Sequence, residues 1–379
     1  MLAPPPRHPR FPLVDGLRAI AVLAVVGVHA GQFGSTWSGS LGSRLMAHLN
    51  AGVTVFFVIS GVLLYRPFIA HRGGGARAPA VRDYFKRRFL RIYPAYWVIL
   101  AFLVLAPGFT GVVGGQWLST LTLTNALGFG GGPVCAQLIN SCDLAQTWSL
   151  VVEVTFYLAL PLYAWAIGRL TRRLDLRSWM VAQLALLAAL SAGSVLLSYV
   201  VLYPAPRWVA WSVVGNVLWF SLGMGVAVVS VAGEGGALRS RRLPGLARRP
   251  GFAWALALAA YLALALALPG TPFLFDRTQL LAVHLVFGLI ALLLVGPAVL
   301  SKDGRALMHR VLRHRAVAWL GTISYGIFLW HYAVALKIGS PGAKDPFLVV
   351  LAGTLVISVL CAAASYYLVE RPLLRLKYR

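Results

Sequence analysis

Residues 14–33 read VDGLRAIAVLAVVGVHAGQF, a run long and apolar enough to cross a bilayer, yet it carries Arg18 near its start and His29 eleven residues later. A helix needs about 20 predominantly apolar residues to span a hydrocarbon core of about 30 Å. The reading of this stretch as a span decides the fold, because the rest of the chain has the same character. Of 379 residues 59% are hydrophobic and only 12% charged, and the mean hydropathy is +0.77. That composition excludes a soluble domain of this size.

Windowed hydropathy places ten spans, at 14–33, 50–69, 92–111, 147–168, 179–202, 207–231, 251–268, 278–299, 316–337 and 346–369. Uninterrupted apolar runs separated by short polar loops point to helices rather than to a barrel, whose strands would be short and alternating. The expected fold is therefore all-α and polytopic, residues 1–379 forming one integral-membrane domain in the cell membrane with no appended soluble domain. The first stretch lacks the small-residue cleavage site of a signal peptide and is expected to remain as a span.

A formal net charge of +24 invites a nucleic-acid reading until the basic residues are located. All but five of the 34 Lys and Arg fall in connections on one side of the ten spans; the five opposite are Arg44, Arg207, Arg277, Lys337 and Lys344. By the positive-inside rule both termini are cytoplasmic, and the charge serves topology rather than nucleic acid. Cys135 and Cys142 then fall in an extracytoplasmic loop free of Lys and Arg, where they either form a disulfide or remain as two thiols.

Ionisable residues at membrane depth are functional candidates, since each costs free energy unless paired or hydrated. Among the ten acidic residues only Glu153, in QTWSLVVE, lies well inside a span, and His29, His284 and His331 are the histidines inside spans. Counting from the helix ends places all four at one level in the outer half of the membrane. Arg18 and His29 are separated by about 1100°, three turns plus about 20°, so they share a face about 16 Å apart along the axis. The segment RDYFKRRFLRIYP sets Arg87, Arg88 and Arg91 beside Tyr84, Phe85 and Tyr93. Such a cluster suits phosphate groups by charge-assisted hydrogen bonds, and it equally suits anionic lipid head groups. Ser60-Gly61 in FFVISGVLLY reads as a close-packing notch or as one wall of a narrow channel.

These residues resemble the membrane-bound acyltransferase-3 family. VDGLRAIAVLAVVGVHA is similar to its opening motif of an Arg and a His separated by ten residues, here Arg18 and His29. FFVISGVLL, RRFLRIYPAYW with Arg87, Arg88, Arg91 and Pro94, TWSLVVE with Glu153, and GTISYGIFLWH with Ser324, Tyr325 and His331 resemble later blocks in the same order, and YYLVERPL its closing block. The resemblance implies an O-acyltransferase that takes its acyl group, acetyl or another short chain, from cytoplasmic acyl-CoA. The acceptor implied is a hydroxyl of an exported or membrane-linked glycan, glycolipid or metabolite. Some members carry a C-terminal hydrolase-like domain; a chain without one acts alone or with a separate partner.

An acyl thioester is already activated, so the protein has to deprotonate an alcohol, stabilise an oxyanion and align the reactants. His29 is expected to be the general base, oriented by Glu153, with His331 and His284 donating to the oxyanion or to acceptor hydroxyls. Arg18, Arg87, Arg88 and Arg91 are expected to hold the coenzyme A phosphates, and the pantetheine arm to pass Ser60, Gly61 and Tyr325. No metal is called for. The rival reading is a proton-coupled secondary transporter, which the absence of paired Gly/Pro-broken helices in two repeated halves disfavours. A lipid-linked glycosyltransferase is a third, with acidic residues in its outer loops too few and scattered for a metal-bound phosphate.

Overall fold

The computed structural model describes residues 11–34, 40–105, 117–124, 144–204, 209, 211–238, 249–270, 275–301, 307–339 and 345–375. Cys135 and Cys142, and with them the expected bridge, lie outside the described residues, as does Asp143. The elements are α1 (Pro12–Phe33), α2 (Leu41–His48), α3 (Ala51–Ile69), α4 (Val81–Leu105), α5 (Trp117–Leu121), α6 (Trp148–Leu170) and α7 (Leu176–Leu196). They continue as α8 (Val213–Glu234), α9 (Pro250–Ala267), α10 (Arg277–Leu300), α11 (Leu307–Arg313), α12 (Arg315–Ile338), α13 (Phe347–Ser365) and α14 (Arg371–Leu374). No strand occurs among the described residues.

Nine helical stretches among the described residues are long and apolar enough to cross a membrane, and the chain is a multi-pass membrane protein. The tenth expected span is α12, 24 residues long, whose Thr322, Ser324, Tyr325, His331 and Tyr332 dilute its hydropathy. It tolerates them because it is central: every residue from Ile323 to Ala333 is buried. A helix buried all round has no lipid-facing stripe to keep apolar.

One span departs from expectation. The third was placed at 92–111, whereas α4 runs from Val81 to Leu105, and 106–111 lie outside the described residues. Arg82, Lys86, Arg87, Arg88 and Arg91 depress the hydropathy of its first half, but the backbone there is already helical, with Tyr84 buried. RDYFKRRFLRIYP is thus the first half of the span itself.

α1 packs chiefly on α12, α3 on α8, and α12 on α13. Two of these contacts bring backbones together. A Cβ at Gly321 would sit 1.8 Å from the Asp15 carbonyl oxygen, and one at Gly223 would sit 2.0 Å from that of Val58. Helices associate in membranes by such close approach, since lipid offers no hydrophobic drive between them. Polar tips then find partners across helices. Tyr65 donates to Gln183 at 2.8 Å, Trp219 Nε1 to the His284 carbonyl at 3.0 Å, and Trp254 Nε1 to the Leu294 carbonyl at 3.1 Å. Arg66, 5% exposed, closes the α3–α8 contact at the basic end through Glu234, with Nη2 at 2.7 and 2.6 Å from the two carboxylate oxygens.

Gly321→Ala and Gly223→Ala are expected to lower thermal stability in detergent by about 1–3 kcal/mol each, as overpacking of a fitted contact does. Gly168→Ala, where an added Cβ meets nothing within 4 Å, should be neutral or slightly stabilising in the same melting assay.

Candidate active site

Two polar clusters lie along the inner faces of α1 and α12. In the first, His331 Nδ1 is 2.6 Å from the Phe328 carbonyl oxygen and 3.2 Å from that of Ile327, while its Nε2 is 2.9 Å from His29 Nδ1. A carbonyl only accepts, so Nδ1 of His331 carries the proton and, in the neutral ring, its Nε2 is an acceptor. His29 Nδ1 must then be the donor across the 2.9 Å contact, which leaves a lone pair on His29 Nε2. His331 is fully buried and His29 half-buried, with Tyr332 edge-on to the His29 ring at 4.9 Å.

The second cluster lines a cavity of about 110 Å³ bordered by Arg18, Ser60, Arg88, Arg91, Glu153 and Tyr325 among others. Ser60 Oγ donates to Glu153 Oε1 at 2.6 Å. Tyr325 donates to the Ile92 carbonyl at 2.9 Å, tying α12 to α4. The Arg88 guanidinium lies over the Tyr157 ring and that of Arg91 over the Tyr325 ring, each at 5.8 Å, within the range of a cation–π contact. Arg88 Nε and Arg91 Nη2 are buried and meet no acceptor among the described residues. Buried guanidinium N–H groups held on aromatic faces with donors unspent make a site for an anion or a carbonyl oxygen.

The sequence expectation put Glu153 level with His29, and this is corrected. Gln146, just before α6, donates to the Leu329 carbonyl at 2.9 Å, two residues short of His331. α6 therefore begins deep, and Glu153, seven residues on, lies about 13 Å nearer the basic end than His331. α3 tells the same story. Gly52 abuts the Ala21 carbonyl, and Ser60 is eight residues, about 12 Å, beyond it toward that end. Glu153 belongs with Ser60 and with the charge of Arg18, and it is His331, not Glu153, that is hydrogen-bonded to His29.

Other expected roles change with it. Both nitrogens of His331 are committed, so it has no donor left for an oxyanion. His284 stacks on Trp219 at 4.3 Å and contacts the Tyr199 ring, on a different wall of the bundle. Arg18, Arg88 and Arg91 come together, while Arg87 does not border the cavity. Ser60 and Gly61 divide the two readings of their pair: Ser60 borders the cavity, and Gly61 is a notch in which a Cβ would meet the Phe220 carbonyl at 2.3 Å.

Two residues escaped the sequence reading. Tyr157, one helical turn after Glu153, also borders the cavity, and its i+4 position was the available signal. Glu370, one residue past the last expected span, is only 2% exposed on the π-helical turn Tyr366–Glu370, where its charge is opposed by Arg91 and Arg18. Its place in YYLVERPL was the only sign.

Residues 11–367 match the profile of a family described as an acyltransferase domain. The chain is 27% identical to a putative peptidoglycan O-acetyltransferase of Bacillus subtilis (strain 168), over 97% of this chain and 55% of the relative. It is 24% identical to the peptidoglycan O-acetyltransferase of Listeria monocytogenes, over 96% of this chain and 55% of the relative. To an exopolysaccharide production protein of Rhizobium meliloti it is 29% identical, over 86% of this chain and 89% of the relative. The chain thus spans about half the length of the two peptidoglycan enzymes it matches. No solved structure matches it.

Tyr325→Phe removes the hydroxyl bond to the Ile92 carbonyl while keeping the ring under Arg91. It is expected to cost about 1 kcal/mol of thermal stability. Tyr325→Ala, which removes both, should cost more in the same measurement.

Proposed function

The chain belongs to the acyltransferase-3 family, and on that premise we propose that it transfers a short acyl group from cytoplasmic acyl-CoA to a hydroxyl of an exported or membrane-linked glycan, glycolipid or metabolite. The observation that carries this reading is the chain of bonds from the Phe328 carbonyl through His331 to His29, which leaves Nε2 of His29 ready to take a proton. The acceptor hydroxyl gives its proton to that nitrogen as its oxygen attacks the thioester carbonyl. The carbon–sulfur bond breaks, and the leaving thiolate recovers the proton from His29. His331 touches neither reactant and acts by fixing the tautomer and orientation of the base.

The arginine cavity supports the donor's place. Buried, unspent N–H groups of Arg88 and Arg91 suit an anion at the basic end, which the positive-inside rule assigns to the cytoplasm. Arg18 and His29 are about 16 Å apart along α1, so a donor held at the arginines needs a long, thin arm to bring its thioester to the base. Pantetheine is such an arm, and Ser60 and Tyr325 border its path. The names of the relatives, which concern peptidoglycan and exopolysaccharide, support a glycan acceptor and an acetyl donor.

The test is turnover of labelled acetyl-CoA by membranes with matched amounts of each variant. His29→Ala is expected to lower the rate by about 10²–10⁴-fold, the usual contribution of a general base; a wild-type rate would sink the assignment. His331→Ala should lower kcat with little change in the KM for acetyl-CoA, because it releases the tautomer without touching the donor.

Arg88→Ala and Arg91→Ala should behave in the opposite way, raising the KM for acetyl-CoA by about tenfold or more, as loss of a charge-assisted bond of about 1.5–3 kcal/mol does. An unchanged KM in both would remove the donor from this cavity.

A further inference from the structure

A second cavity, of about 570 Å³, opens between α7, α8 and α10. It lies on the face of α8 opposite Gly223, the residue that seats this helix against α3. Its walls are apolar except for Ser191 and Ser221, and Ser191 spends its hydroxyl on the Leu187 carbonyl of its own helix. No charged residue lines it.

Its length and its ends are informative. Along α10 it runs from Leu289 to Leu300, the last residue of the helix. Eleven residues rise about 16 Å, which is one leaflet of a hydrocarbon core of about 30 Å. The leaflet is the one at the basic end. Arg177 is seven residues before Leu184, two turns less about 20°, and so stands on the same face of α7 as that wall, about 10 Å beyond it. Arg177 is exposed, as are Arg172 and Arg173 in the turn just before α7. Among the described residues the carboxylates nearby are engaged: Asp175 caps α7 by accepting from the backbone N–H groups of Arg177 and Ser178, and Glu234 is paired with Arg66.

We propose that this groove holds one acyl chain of an anionic phospholipid from the basic-side leaflet, its phosphate seated among Arg172, Arg173 and Arg177. One leaflet of length, apolar walls and exposed arginines toward the basic end match the acyl chain and head group of an anionic phospholipid. A second copy of the chain would present a convex helix rather than a single thread. The lipid fills the space behind α8 and keeps it pressed on α3, one residue from Ser60. In the absence of a hydrophobic drive, that packing is what holds helices together.

The test uses the full chain in a neutral detergent, with bound lipid counted by native mass spectrometry and melting followed on adding phosphatidylglycerol or phosphatidylcholine. Wild type is expected to retain phosphatidylglycerol and to melt higher with it than with phosphatidylcholine. Gly225→Leu combined with Gly296→Leu fills the groove without a backbone clash, because an added Cβ meets only Leu184 Cδ2 at 3.5 Å and Leu292 Cδ1 at 3.9 Å. This variant should lose the bound lipid and the melting response. The triple variant Arg172→Glu, Arg173→Glu, Arg177→Glu should bind phosphatidylglycerol on the order of tenfold more weakly or worse, while its response to phosphatidylcholine stays. The proposal is overturned if wild type responds equally to both lipids, or if the filled variant keeps its lipid. A fall in oligomeric mass on filling would assign the groove to a second copy instead. Should the filled variant fail to fold, the charge reversal decides, since an unchanged preference for phosphatidylglycerol refutes the phosphate seat.

Discussion

α1 and α12 lie side by side over their whole length, and the rest of the bundle is arranged around that contact. At the basic end Gly321 lets the Asp15 carbonyl touch α12, and at the other end Gly339 does the same for the Phe33 carbonyl. Between these two close approaches the His29–His331 bond spans the pair. Two fixed points and a hydrogen bond between them leave little freedom to slide or rotate, so residues on the facing sides are held in register without any loop to position them. A membrane interior makes this rigid, because a polar group displaced from its partner there has no water to turn to.

Beside this pair α3, α4 and α6 each supply one wall of the arginine cavity. α3 brings Ser60 and is itself seated by α8 through glycine contacts, with the Arg66–Glu234 pair at the basic end. α6 brings Glu153, placed deep by the bond from Gln146. α4 is joined by polar groups: Tyr325 reaches its Ile92 carbonyl, and its own Tyr93, Tyr96 and Trp97 donate to the carbonyls of Thr122, Thr120 and Leu121. Those three bonds satisfy the backbone of the short α5 segment, which could not otherwise leave regular structure beside a span.

The helices, their order and the shared face of Arg18 and His29 were legible in the sequence, because apolar runs and the 3.6-residue period are local properties. Depth was not. Counting inward from a helix start assumes that each helix begins at the membrane surface, and α6 begins well below it, so Glu153 was assigned to the wrong partner. The basic segment misled in the opposite sense, since charges that lower hydropathy can still face the protein interior. Arg88 and Arg91 share the inward side of α4 with buried Tyr84 and Ala95, whereas Arg87, next in sequence, turns about 100° away. Which side of α4 is inward depends on α12 and the turn bearing Glu370, and that is knowledge of tertiary packing. The burial of Glu370, just past the last expected span, was hidden for the same reason.

The acceptor at the far end of the histidine relay is a main-chain oxygen. A peptide carbonyl is present whatever side chain position 328 carries, so the proton on His331, and through it the lone pair on His29, is specified by helical geometry rather than by residue identity. Substitutions at Ile327 or Phe328 can therefore accumulate without rewriting where the protons sit. A bend in this one turn of α12 would rewrite it with no substitution at all. The least variable part of such a hydrogen-bonded pair would leave no trace in a comparison of side chains.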